Sequence, residues 1–409
     1  MEDAGMSQGL PNGCTAVLVL ADGRIFPGLG VGKTGEAVGE VCFNTAMTGY
    51  QEILTDPSYT EQLICFTFPH IGNVGTNLED EETASPVLDA RAKGVILRAN
   101  ITKAANWRSE EDLANWLQQR AVVGITGIDT RALTNHIREN GMPHGVIAHD
   151  PKGRFDLDKL QQQAANWPGL VMADLAAKVS TKSVHDWQQS NWQWPDGFDN
   201  STAKAPHVVL IDYGVKRNIA RLLSAQGLAV SIAPASFSAE QVLALQPDGI
   251  VLSNGPGDPA ATAKHAAPVI QQLIAADLPV FGICLGHQLL ALALGGKTRK
   301  MSQGHHGANH PVKQLATGKV EIVSMNHGFS VDASSLGDGI TETHISLFDG
   351  SNCGLELDKK PVFSVQHHPE ASPGPQDSFY LFAGFADMVR QCQSATADGL
   401  QIKPAMTDL

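Results

Sequence analysis

The sequence has no excess of basic residues. Across 409 residues, 42 Asp and Glu outnumber 29 Lys and Arg, giving a formal net charge of −13. A chain that holds a polyanion carries a basic stripe, so nucleic-acid binding is not expected as its main work. Cysteine is scarce and scattered: Cys14, Cys42, Cys65, Cys284, Cys353 and Cys392 include no Cys-x-x-Cys pair. A disulfide framework belongs to small secreted domains, not to a chain of this length. No long apolar run is left uninterrupted. Leu278–Gly296 lacks charge, but His287 and Gln288 sit at its middle and four glycines punctuate it, which reads as a buried strand and helix instead of a membrane span. Met1-Glu2-Asp3-Ala4-Gly5 lacks the basic and apolar regions of a signal peptide. The 40 glycines follow no Gly-X-Y period, which excludes a fibrous chain, and there is no internal repeat. What is present is 43% hydrophobic and 17% charged residues, enough to bury cores in roughly two or three domains. A reduced, soluble, cytoplasmic protein is expected, with neither membrane nor nucleic acid as partner.

Pro195-Asp196-Gly197-Phe198-Asp199-Asn200-Ser201-Thr202 is rich in turn formers and divides the chain into halves of similar size. The expected organisation is an N-terminal mixed α/β domain over residues 1–195, a second domain over 206–392, and a polar tail over 393–409. In the second domain, short apolar strands alternate with helices: His207–Asp212, a helix from Lys216 to Gly227, Leu228–Ile232, a helix capped by Ser238, Gly249–Leu252, a helix over Ala266–Ala276, Leu278–Ile283, and a helix over His287–Leu294. Strands apolar on both faces and alternating with helices predict a doubly wound, mostly parallel sheet, with ligands at the carboxyl ends of its strands. The first half predicts a hairpin turning at Asp22-Gly23, a helix over Ser109–Arg120 with a Ser109/Asp112 capping box, and a helix over Thr130–Glu139 capped by Asp129.

Gly28-Leu29-Gly30-Val31-Gly32-Lys33-Thr34 fails as a phosphate loop. Pro27 stands where the first glycine of a P-loop belongs, and Lys33 takes the place of the third glycine of a dinucleotide fingerprint. A strand follows, with no helix N-terminus to hold phosphate, so a glycine-rich turn is expected. His305, His306 and His310 have a spacing that could suit a metal, but Gly304, Gly307 and Pro311 argue for a loop, with no carboxylate or cysteine nearby to finish a site. No metal site is expected.

Gly282-Ile283-Cys284-Leu285-Gly286 has the form Gly-x-nucleophile-x-Gly, with an apolar strand before it and an apolar helix after it. Flanking glycines permit the tight turn of a nucleophile elbow, which presents the Cys284 sulfur at the strand's carboxyl end. The following helix's N-terminus favours negative charge there, and the Leu285 N–H can donate to a developing oxyanion. The apolar strand Val362–Gln366 runs into His367-His368-Pro369-Glu370. Residues two apart in extended chain share a side, so Glu370 can orient His368 as base, which completes a Cys–His–Glu triad. Asn254-Gly255-Pro256-Gly257-Asp258-Pro259 follows the third strand, and its glycines suit a second oxyanion donor.

Leu252–Pro259, Phe281–Gln288 and His368-Pro369-Glu370, in that order, resemble the class I (triad) glutamine amidotransferases. Glu40–Pro57, Pro69–Asn77, Gly127–Thr134, Gly304–Val312 and His368–Pro375 further resemble the glutaminase-subunit family of the carbamoyl-phosphate synthetases, over about residues 15–392. The resemblance implies glutamine hydrolysis through a glutamyl thioester at Cys284, and ammonia handed to a large subunit that makes carbamoyl phosphate from bicarbonate and ATP for arginine and pyrimidine synthesis. It implies no cofactor in this chain, with ATP and Mg used by the large subunit. It places the oxyanion on the backbone amides of Leu285 and Gly257, and glutamine contacts at Ala46, Gly255, Gly257, Leu285, Gln288, Asn326, Gly328 and Phe329. The sequence departs from the family at Ala46, commonly a serine that contacts glutamine, and at His367, often glycine; residues Met1 to about Gly13 extend beyond the usual start. The first half, which holds no triad-like set, is expected to dock the large subunit.

Overall fold

The computed structural model describes residues 9–84, 90–200, 204 and 206–398. The chain forms two compact units. The first holds residues through Glu81, Arg91–Val171 and Ser302–His306; the second holds Glu82–Ala90, Met172–Met301 and residues from Gly307 on.

In the first unit β1 (Ala16–Leu20), β2 (Ile25–Gly32), β3 (Gly35–Asn44), β4 (Gln62–Phe66), β5 (Gly94–Ile96), β6 (Val123–Thr126) and β7 (His144–His149) close into a barrel, in the order β1-β2-β6-β5-β4-β3-β7. Around it lie α1 (Tyr50–Thr55), α2 (Leu113–Gln119), α3 (Thr130–Asn140) and α4 (Leu157–Asn166). Leu18, Leu20, Val41, Leu63, Ile96, Ile125 and Ile147 fill one core with Leu133 and Ile137 of α3. Closure leaves no sheet edge to pair with another chain. The Asp22-Gly23 hairpin is present, and Asp129 caps α3 by accepting from Ala132 N–H. Of the expected glycine-rich turn at 28–34, residues 28–32 are instead part of β2, and only Lys33 and Thr34 bend into β3. A Cβ at Gly28 would lie 2.3 Å from Thr126 O, and one at Gly30 2.0 Å from the His149 ring, so these glycines admit close neighbours within the barrel wall. The Ser109/Asp112 capping box does not form: the helix begins at Leu113, and Asp112 makes no side-chain cap bond.

The second unit is built on a ten-stranded sheet. Its members are β8 (His185–Trp187), β11 (His207–Asp212), β12 (Ala229–Pro234), β13 (Gly249–Leu252), β14 (Val280–Ile283), β15 (Lys297–Gln314), β16 (Val320–Asp332), β17 (Ile340–Ser346), β18 (Asn352–Leu357) and β19 (Val362–Val365), in the order β16-β15-β17-β18-β19-β14-β13-β11-β12-β8. The five strands β19-β14-β13-β11-β12 are parallel, as their continuous apolar runs predict. Antiparallel β8 and β18 flank them. One face is covered by α6 (Arg217–Ala225) and α10 (Tyr380–Asp398), the other by α7 (Ala239–Leu243), α8 (Pro259–Ala275) and α9 (Leu285–Ala293); a short α5 (Ala176–Val179) precedes β8. Among the described residues no helix is long and apolar enough to cross a membrane.

The expected break near residue 200 is not where the units divide. β8 joins the second sheet, and β9 (Gln189–Gln193) pairs with β10 (Gly197–Asn200) as a hairpin whose turn is the Pro195-Asp196 stretch. Residues 201–203 and 205 of the expected linker lie outside the described residues, as do residues 1–8 of the extension and 399–409 of the tail. The expected loop carrying His305, His306 and His310 is strand β15. In the first unit the His306 ring packs 5.9 Å from Tyr59, and in the second the His310 ring lies 5.1 Å from Phe348.

Candidate active site

The site lies at the carboxyl ends of the parallel strands of the second unit. β14 delivers Cys284, which joins it to α9 with φ 54° and ψ −101°. A non-glycine residue reaches that backbone region only where its surroundings over-determine it. Two bonds do so here: Cys284 N–H donates to Val365 O at 2.9 Å, and Gly286 N–H to Ser253 O at 3.0 Å. Gly286 must be glycine, because a Cβ there would sit 2.1 Å from Leu252 O; at Gly282 one would sit 2.9 Å from Gly286 O. Cys284 is 2% exposed, and its sulfur reaches Asn326 O at 3.6 Å. Leu285 opens α9, so its N–H has no intrahelical acceptor and can serve a bound oxyanion.

β19 delivers His368 beyond its end. Its N–H donates to Ser324 O at 2.9 Å, and its Nδ1 meets Glu370 Oε1 at 2.6 Å. Nε2 is buried and, apart from the Cys284 side chain that interacts with this ring, has no hydrogen-bond partner among the described residues, which leaves it for proton transfer with the cysteine. Burial opposes charge on this ring, but the Glu370 carboxylate and then the Cys284 sulfur outweigh it, and the imidazole is raised above its ordinary value. For Glu370 burial again opposes ionisation; Lys216 and then His368 outweigh it and hold the carboxyl below its ordinary value. Lys216 Nζ, 3% exposed, lies 2.9 Å from Glu370 Oε1 and donates to Ala371 O at 2.5 Å. The three charges form a buried line from Lys216 through Glu370 to His368, in which each ionised form stabilises the next.

His367 does not compete with this line. It is fully buried, and burial together with neighbouring His344 and His368 keeps it neutral, well below the usual imidazole value. Its ring packs 5.8 Å from His344, itself pushed down to about 4 by burial. His287, in the first turn of α9, meets Ser364 Oγ at 2.9 Å and is held neutral by burial at about 3. Three neutral imidazoles therefore lie in the same unit as the one charged imidazole of the site.

Of the expected glutamine contacts, Gly255, Gly257, Leu285, Gln288, Asn326, Gly328 and Phe329 lie in the second unit. Gly257 has φ +93°, and a Cβ there would lie 2.5 Å from Ala173 O. Gln288 Nε2 donates to Phe329 O at 2.7 Å and Gln366 Oε1 at 3.0 Å, which ties α9 to β16 and to the end of β19. Ala46 belongs to the first unit, where its N–H donates to Asn44 Oδ1 at 2.8 Å. Among the described residues no group of three or more His, Cys, Asp or Glu is disposed to hold a metal ion. Sequence reasoning missed Lys216, although its place just past β11, on the same sheet edge as Cys284 and His368, is a signal in itself.

Comparison with known proteins adds two matches along the chain. The family model for glutamine amidotransferase class-I matches residues 209–388, and that for the carbamoyl-phosphate synthase small chain, CPSase domain, matches residues 18–147. The carbamoyl phosphate synthase small chain of Mesorhizobium japonicum is 62% identical over 377 residues, which span 92% of this chain and 95% of that one. The protein of the same description from Caulobacter vibrioides is 61% identical, over 94% of this chain and 99% of its own.

Proposed function

The chain belongs to the carbamoyl phosphate synthase small chain family, and we propose that Cys284, His368 and Glu370 are the triad with which it hydrolyses glutamine. It is a glutamine-hydrolysing subunit with a class I amidotransferase unit. The observation that carries the triad is the buried line of charge that ends at His368, whose ring interacts with the side chain of the elbow cysteine.

In this reading Cys284 Sγ attacks the glutamine carboxamide carbon and its proton resides on His368 Nε2. The oxyanion that forms is held by the backbone N–H groups of Leu285 and Gly257. His368 passes the proton to the leaving nitrogen, so ammonia departs and a glutamyl thioester remains on Cys284. The neutral imidazole then takes a proton from water as it attacks the thioester, and glutamate leaves with the thiol restored. Glu370 keeps Nδ1 protonated and the ring oriented throughout. Gly255, Gln288, Asn326, Gly328 and Phe329 shape the glutamine pocket.

The expected partner is a large subunit that uses the ammonia with bicarbonate, ATP and Mg in the cytoplasm, for arginine and pyrimidine synthesis, and that docks on the first unit of this chain. A stand-alone γ-glutamyl hydrolase would carry a similar elbow and histidine, but glutaminase turnover in the subunit reading rises when the large chain is added. A glutamine-analogue electrophile tests the nucleophile directly. It should label Cys284 alone among the six cysteines, and glutamine should protect it; labelling elsewhere, or none, would contradict the assignment.

A further inference from the structure

We infer that Glu82, a residue of the N-terminal half of the sequence, is a positioning residue for the triad, acting as the hub that fixes the loop carrying Glu370. The inference rests on the assignment of Glu370 to the triad.

Glu82 is 1% exposed and belongs to the second unit. Its Oε1 accepts from Ser372 Oγ at 2.7 Å and lies 3.2 Å from the Arg221 guanidinium; its Oε2 accepts from Asn218 N–H at 3.0 Å, and its backbone O from Arg217 N–H at 2.8 Å. Thr83 forms a bridge with Lys216. One carboxylate therefore holds two stretches that are remote in sequence. The first is the start of α6, which carries Lys216 and Asn218. The second is the segment that follows Glu370.

Those stretches also meet each other at the triad acid and the residue after it. Asn218 Nδ2 donates to Glu370 O at 2.6 Å, and Lys216 Nζ reaches both the Glu370 side chain and Ala371 O. The segment they hold is not one the chain adopts unaided: Ala371 has φ 55° and Ser372 φ 53°, two successive non-glycine residues in the left-handed region. Residues so placed persist only where surrounding contacts fix them. Ser372 is fixed by Glu82, so the path from Glu82 through Ser372 and Asn218 sets where the Glu370 carboxylate stands against His368 Nδ1. Arg221 has a second support, since its guanidinium lies 3.8 Å over the Phe198 ring, so its place does not depend on Glu82 alone.

A loosened hub should impair the orientation of His368 while leaving the glutamine pocket intact, because neither Glu82 nor Ser372 lines the expected glutamine contacts. Activity then falls in kcat and not in KM. The test uses the full chain with its large subunit, in Glu82→Gln, Glu82→Ala and Ser372→Ala forms, with glutamine-dependent and ammonia-dependent synthesis measured side by side. Glu82→Gln keeps one acceptor oxygen and should lower kcat for glutamine roughly fivefold, and Glu82→Ala roughly fiftyfold, each with KM changed less than about threefold. Ammonia-dependent synthesis should stay at the wild-type rate. Unchanged kcat in Glu82→Ala, or glutamine and ammonia rates falling together, would overturn the inference. Where Glu82→Ala fails to accumulate, Ser372→Ala decides: kcat several-fold lower supports the hub and a wild-type kcat overturns it. Cys284→Ser in parallel separates the two layers. If it still hydrolyses glutamine, the triad assignment fails; if it is dead while the Glu82 and Ser372 variants are unimpaired, only the hub fails.

Discussion

Glu370 has the most to lose at the scale of single residues. Lys216 and His368 both face it within 2.9 Å, and all three side chains are at most 3% exposed. Glu370→Gln keeps the shape of the side chain but removes the only carboxylate these contacts place between two buried cations. Breaking one partner of a buried pair costs about 3–5 kcal/mol, because the remaining charge is left uncompensated. An unfolding free energy lower by that amount, read from denaturant curves near neutral pH, is the expected result. The pH profile carries the sign. Glu370 is held below its ordinary value, so its contribution is complete above the unfolded carboxyl value near ~4.3 and is lost as pH falls through the lower folded value. His368 is raised, so its contribution is complete below the unfolded imidazole value near ~6.5 and is lost as pH rises through the folded one. Stability should therefore decline on both flanks, and Glu370→Gln should flatten both the acid limb and the alkaline one, since the carboxylate is what raises His368. An unaltered profile in that variant would show that the charged line does not exist in solution.

At the scale of elements, the β14–α9 elbow is the most constrained joint in the second unit. Gly286→Ala places a Cβ 2.1 Å from a backbone carbonyl of β13, and neither the strand nor the helix can yield without disturbing Cys284. Such overpacking costs about 3 kcal/mol. A lower unfolding midpoint with glutaminase activity lost is the expected outcome, and a variant as stable and active as the parent would refute the elbow geometry. This joint was legible because its signals are local: two glycines, an apolar strand and an apolar helix within about twenty residues. The same holds for the parallel strands; His368 and Glu370 also pair as expected, but across a turn at Pro369 and Glu370 and not in extended chain. β2 and β15 were misread for the opposite reason. Their glycines and histidines carry turn and loop signals, whereas strand pairing across the barrel and the sheet, which no local window contains, sets their conformation. Lys216 and Glu82 escaped on the same ground; Glu82 and Ser372 are 290 residues apart yet share a hydrogen bond.

For the whole molecule, the sequence suggests two halves and the structure gives two units, but the chain does not divide cleanly. Glu82–Ala90 leaves the first half for the second unit, and Ser302–His306 returns from the second half to the first. A cut at the expected linker would remove β8 from the sheet and Glu82 from the loop that follows Glu370. Function should therefore be probed in the intact chain, by single substitutions. The central claim is that this chain makes ammonia at Cys284 for use by a second subunit. Its most direct test is Cys284→Ser in the reconstituted two-subunit complex, with carbamoyl phosphate synthesis followed from glutamine and, separately, from ammonia. The account predicts that glutamine-dependent synthesis is lost while ammonia-dependent synthesis persists at the wild-type rate. Glutamine hydrolysis at the wild-type rate in that variant would contradict it.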